Sequence, residues 1–119
     1  MNTTVQIELT RGQRVYISGP IKGYELNERK QEFACKQREL IMRGLLTVNP
    51  FENGVPDHYP DEQHLRADLK LLLGCDAILM LSGWEKSAGA RLELLVASQC
   101  GIQVIFDKAD VLAVRNGDD

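Results

Sequence analysis

The sequence carries no basic excess, no long apolar run, no even set of cysteines and no metal-ligand spacing, and each absence removes a class of function. Fourteen Lys and Arg stand against seventeen Asp and Glu, a formal net charge of −3 with a pI near 5.4. Nothing in that balance neutralises a phosphate backbone, so general nucleic-acid binding is not expected. The most apolar stretches, Leu71–Leu73 and Ala77–Leu81, fall far short of the ~20 residues of a membrane span. Met1-Asn-Thr-Thr lacks the basic start and apolar centre of a signal peptide, which points to a cytoplasmic protein. Cys35, Cys75 and Cys100 are odd in number and lie inside apolar periodic segments, as reduced core thiols would. His58 and His64 share no helix face, and no Cys/His spacing suits zinc, so neither a metal nor another cofactor is expected.

What is present is an ordinary globular composition: 119 residues, 44% hydrophobic and 26% charged. That is room for one domain and one core, burying roughly 65% of the unfolded chain's surface. Gly and Pro cut the chain into a regular alternation. Val15-Tyr-Ile-Ser18 is a β-branched and aromatic run stopped by Gly19-Pro20, and reads as a buried first strand. Leu26, Phe33, Leu40 and Ile41 recur at helical spacing and end at Gly44 in the C′ position. Leu45–Val48 is a second strand, and Phe51 to Pro60 a loop. A second helix starts near Asp61 as N-cap, with Leu65, Leu69, Leu72 and Leu73 as its stripe. Ala77–Leu81 is a third strand, apolar on both faces. Ser87 caps a third helix that stops at Gly101, Gln103–Phe106 is a fourth strand, and Val111–Val114 adds a short last element.

Strand–helix alternation of this kind predicts an α/β fold: a flavodoxin-like or Rossmann-like three-layer sandwich on a four- to five-stranded parallel sheet, with its core at about residues 14–107. Ligands in such folds bind beyond the carboxyl ends of the strands where strand order reverses. The places to look are therefore the loops after Ser18, Val48 and Leu81, where the polar and glycine-rich residues gather. Ser18-Gly-Pro-Ile-Lys-Gly23 holds neither the dinucleotide fingerprint nor the Walker pattern, but its amides, hydroxyl and Lys22 suit a single phosphate or sugar. The small residues Ser87 to Ala90 open a helix whose free N–H groups favour an anion. Trp84 stands in the same loop, placed to stack on a planar ring or on its own domain. Glu93 is the only acid in the apolar run Leu92–Ala97, and its helical neighbours Gly89, Ala90, Val96 and Ala97 are small or apolar. Asp68 lies between Leu65 and Leu69 and either shares that crevice or faces water. A response-regulator reading fails, because Ser18-Gly19 and Leu81-Ser82 stand where acids would be required.

These residues resemble the nucleoside 2-deoxyribosyltransferase-like superfamily. The match runs through Tyr16-Ile-Ser-Gly-Pro20, Asp68-Leu69, Cys75-Asp-Ala-Ile78 and Gly83-Trp-Glu-Lys-Ser-Ala-Gly-Ala-Arg-Leu-Glu93, and is closest to a small branch common in phages and prophages. The superfamily also contains deoxynucleoside 5′-monophosphate N-glycosidases. The resemblance implies Glu93 as nucleophile and Asp68 as the residue that contacts the sugar and assists proton transfer. It implies substrate contacts at Tyr16, Ser18, Gly19, Pro20, Lys22, Asn49, Trp84, Ser87 and Gly89. It further implies a homodimer in which Asn116 completes the neighbouring subunit's site. Leu95 departs from the pattern, standing where a small residue is usual. The expected activity is cleavage of the base–sugar bond of a deoxynucleoside or its 5′-monophosphate, by hydrolysis or transfer. The alternatives are a nucleotide-binding sensor or sequestering protein, and a glycosidase acting on an ADP-ribose-type molecule.

Overall fold

Val15 to Ser18 needs burial on both faces, and it obtains it at the centre of a parallel sheet. The computed structural model describes residues 5–117. Within these the chain forms β1 (Gln6–Thr10), β2 (Arg14–Ser18), α1 (Leu26–Met42), β3 (Leu46–Val48), α2 (Asp61–Leu72), β4 (Ala77–Met80), α3 (Ala88–Gln99), β5 (Gln103–Phe106) and β6 (Val111–Arg115). Single 3-10 turns lie at Pro50–Glu52 and Trp84–Lys86. Four strands pair in the order β3-β2-β4-β5, all parallel. The chain steps outward from β2 to β3, then returns across β2 to β4. Strand order therefore reverses between β2 and β4, and a crevice opens beyond their carboxyl ends.

Alternation along the strands divides the core into two layers. Val15, Ile17, Leu79, Leu81 and Ile105 point to the face covered by α1 through Phe33 and Leu40. Tyr16, Ile78 and Met80 point to the other face, against Leu72 of α2 and Ala90 and Ala97 of α3. The three-layer α/β expectation holds.

Three local readings are corrected. Gln6–Thr10 is a strand that the sequence reading passed over, although Ile7 and Leu9 alternate with polar neighbours as a half-buried strand requires. It pairs with β6 from Gln6↔Val111 to Thr10↔Arg115 as a separate two-stranded parallel ribbon, so the main sheet has four strands. The N-cap position of α2 belongs to Pro60, which offers no side-chain cap; Asp61 is the first helical residue, where its charge meets the positive end of the helix dipole. Of the three thiols only Cys75 is buried. Cys35 follows the core residue Phe33 by two positions, about 200° around the helix, and so faces water.

Gly44 ends α1 with φ +91°, a left-handed conformation open to glycine, and a Cβ there would stand 2.8 Å from Arg11 Cγ. Gly44→Ala is expected to cost about 1–2 kcal/mol. Urea denaturation measures this, and an unchanged midpoint would refute it.

Candidate active site

The buried residues of α3 are Ala90, Glu93 and Ala97, spaced three and four apart on one stripe. The two alanines bring the helix close to the sheet, and Glu93 takes the place a large apolar residue would fill. Only 6% of Glu93 is exposed. From the sheet side, Tyr16 and Ser18 are two apart on β2 and so share the face beneath α3. Ser18 Oγ donates to Glu93 Oε1 at 2.7 Å, and the Tyr16 hydroxyl donates to Oε2. Each carboxylate oxygen is thus held by one hydroxyl.

Burial pushes the Glu93 carboxyl up to a pKa of about 7; the Tyr16 and Ser18 hydrogen bonds pull against that shift, and the charge of Asp68 adds to it. Tyr16 is raised far above its ordinary value, chiefly by burial and then by the Glu93 charge, so it stays a donor. Asp68 on α2 is half-buried, and burial raises its pKa while a hydrogen bond from Asn53 opposes the rise. Its charge acts on both Glu93 and Tyr16. Two carboxyl groups, one sealed beneath a helix and one at the crevice wall, are electrostatically coupled beside the switch point.

The loops after β2 and β4 form the rim. Gly19 lies so close to β4 that a Cβ would stand 2.9 Å from Leu81 Cβ, and the Pro20 carbonyl accepts from Arg29 Nε at 2.6 Å. Gly83, with φ +91°, faces the Pro20 ring. Ser87 caps α3 by accepting from Ala90 N at 3.2 Å, and a Cβ on Gly89 would meet nothing within 4 Å. Trp84 lies against Phe106, ring centroids 5.5 Å apart, so its ring packs on its own domain. Asn49 is buried and shapes the turn after β3, accepting from Phe51 N at 3.0 Å and donating to Gln37 at 3.2 Å.

One expected contact does not join this group. Lys22 stands in solvent, 90% exposed, with its ammonium 3.0 Å from Asp61; a long cation on a turn reaches outward to a partner rather than into the crevice. Asn116, expected in the neighbouring subunit's site, follows Arg115, whose carbonyl accepts from Arg11 N just ahead of β2, so within its own chain it stands at the amino end of the sheet. The sequence reading missed Asn53 and His64, which stand beside Asp68. The spacing of His64 to Asp68, four apart on one helix, was the available signal. Among the described residues no group of three or more His, Cys, Asp or Glu is placed to hold a metal ion.

Fold and site together define a doubly wound α/β domain with a hydroxyl-clamped carboxylate at its switch point. The chain belongs to the family described as a domain of unknown function, DUF4406, whose model matches residues 13–106. Among solved structures it is similar to a 2-deoxyribosyltransferase from Bacillus psychrosaccharolyticus, with 17% identity and TM-score 0.61 over 89% of this chain and 75% of that one. A 2-deoxyribosyltransferase from Leishmania mexicana gives 17% and 0.60 over 89% and 65%. The CMP N-glycosidase BcmB of Clostridium botulinum gives 15% and 0.56 over 90% and 91%. At these identities the likeness is one of fold. No curated protein matches the chain in sequence. No helix among the described residues is long and apolar enough to cross a membrane.

A carboxyl that folding moves from 4.5 to about 7 makes the folded state bind its proton more tightly than the unfolded chain does. Its contribution to stability is therefore present at low pH and lost as pH rises through about 7. Glu93→Gln removes that loss: the variant is expected to exceed wild type by on the order of 3 kcal/mol at pH 8 and by less than ~1 kcal/mol at pH 5. Denaturant titrations at the two pH values measure the difference, and a gap independent of pH would refute the assignment.

Proposed function

We propose that the protein cleaves the base–sugar bond of a deoxynucleoside 5′-monophosphate or deoxynucleoside, as an N-glycosidase or a deoxyribosyltransferase, with Glu93 as nucleophile. The observation that carries this reading is the Glu93 carboxylate, aligned by Tyr16 and Ser18 at the switch point with the coupled carboxyl of Asp68 nearby. Its fold neighbours, two 2-deoxyribosyltransferases and a CMP N-glycosidase, support the same class.

In this mechanism one Glu93 oxygen attacks the anomeric carbon while the carbon–nitrogen bond breaks. The electron pair leaves with the base, whose nitrogen takes a proton from Asp68. The product is a glycosyl ester on Glu93. Water, or the nitrogen of a second base, then attacks the anomeric carbon, gives its proton to the Asp68 carboxylate and releases Glu93. The two carboxyls need opposite protonation states at this step, Glu93 charged and Asp68 protonated; the two hydroxyl donors favour the charged form of Glu93, while its burial opposes it and holds its pKa up to about 7. The open space beside Gly89, at the start of α3, supports a 5′-phosphate as the group bound there.

The test is incubation with each deoxynucleoside and its 5′-monophosphate, following free base by chromatography. Glu93→Gln is expected to lower base release roughly 10³-fold or more. Wild-type kcat/KM is expected to change with pH, with one limb of its profile near 7, where Glu93 titrates. Nucleotide binding without base release would replace this reading with that of a binding protein.

A further inference from the structure

Asp68 is not an isolated carboxyl. Asn53 closes the 3-10 turn at Pro50–Glu52, and its side-chain oxygen accepts from Val55 N at 2.8 Å. That bond fixes which way the amide points, so Nδ2 carries both of its hydrogens toward α2. One meets Asp68 Oδ1 at 2.8 Å and the other meets His64 Nδ1 at 3.2 Å. His64 Nε2 lies 3.0 Å from the Pro56 carbonyl, which only accepts, so Nε2 bears the ring proton and Nδ1 is the acceptor. All donors and acceptors agree with a single assignment. The amide stands between the carboxylate and the imidazole, and the loop holds the amide through Val55 and the imidazole through Pro56.

We propose that Asn53 and His64 are positioning residues that fix the orientation of Asp68 and direct its proton to Oδ2. The inference rests on the reading of Asp68 as proton donor to the departing base. With Oδ1 engaged as an acceptor, the only place left for a proton is the other oxygen, which no hydrogen bond holds among the described residues. A general acid gains most when its proton is aimed before the bond breaks, because misplacement of about 1 Å costs up to 10²-fold. His64 never touches substrate in this scheme; it holds the second hydrogen of Asn53, and so keeps the first on Asp68. The ionisable groups around the clamp are Glu93 and Tyr16 across the crevice, and Asp57 and His58 in the loop beyond His64.

The variants are Asn53→Ala, His64→Leu and His64→Asn, the last placing an acceptor oxygen where Nδ1 stood. Each is checked for folding by thermal unfolding, then assayed with the four common deoxynucleoside 5′-monophosphates across pH. Asn53→Ala and His64→Leu are expected to lower kcat about 10- to 100-fold with KM held within about threefold. Both should move the limb of the rate profile that Asp68 governs upward, because the lost hydrogen bond had favoured the Asp68 carboxylate. His64→Asn is expected to stay within about threefold of wild type with the limb unmoved. A ¹³C NMR titration of the Asp68 carboxyl in the ligand-free protein reads the same shift without any activity. Equal losses in His64→Asn and His64→Leu, or an Asp68 titration unchanged in Asn53→Ala, overturn the clamp. If wild type releases no base, the proposed function falls and the titration alone decides the clamp.

Discussion

A carboxylate buried between α3 and β2, with a hydroxyl on each oxygen, is the constraint on which the rest of this structure depends. Taking that charge out of water is unfavourable, and two neutral donors offset only part of the penalty. The surroundings are arranged to permit it. Alanines before and after Glu93 let the helix approach, Tyr16 spends a large core position on one hydrogen bond, and Ser18 puts a small polar residue where the strand is fully buried. An apolar side chain at the same position would pack without any of this. In the proposed function that arrangement serves attack by a desolvated carboxylate.

The sheet order makes that arrangement possible. Because β3 and β4 flank β2 on opposite sides, the loops that leave β2 and β4 diverge onto opposite faces and leave a gap above Ser18. The close contacts at Gly19 with Leu81 and at Gly83 with Pro20 keep the rim of the gap narrow. Glu93 and Asp68 reach this one place from two helices on the same side. Burial raises the proton affinity of Glu93, and the charge of Asp68 adds to it.

Much of this was legible in the chain. A lone acid in the run Leu92–Ala97 stood out, although Leu92 and Leu95 of that run face water and the helix register alone put Glu93 on the buried stripe; the two-residue spacing of Tyr16 and Ser18 placed both on one face of a strand. Position relative to the switch point followed from the order of strands and helices. What was not legible depended on geometry that spacing does not carry. Asn53 lies in an irregular loop without a period, so nothing along the chain indicated that its amide reaches two side chains of α2. Lys22 fitted a phosphate-binding turn by residue type, but which way a flexible side chain swings is decided by its neighbours, and Asp61 was the nearer one. The ribbon strand β1 was missed because its pattern is short and its partner stands at the far end of the chain.

That ribbon ties folding to the order of synthesis. Gln6–Thr10 leaves the ribosome well ahead of its partner Val111–Arg115, with the four-stranded sheet and its helices encoded between them. Until then Leu9, which belongs to the core, has no strand beside it. The intervening chain must already have laid down the sheet and its helices, since only their assembly shortens the loop whose closure the ribbon requires. A segment of alternating apolar residues therefore waits unpaired while the chain between is made, the interval in which an exposed strand edge is most prone to find another chain.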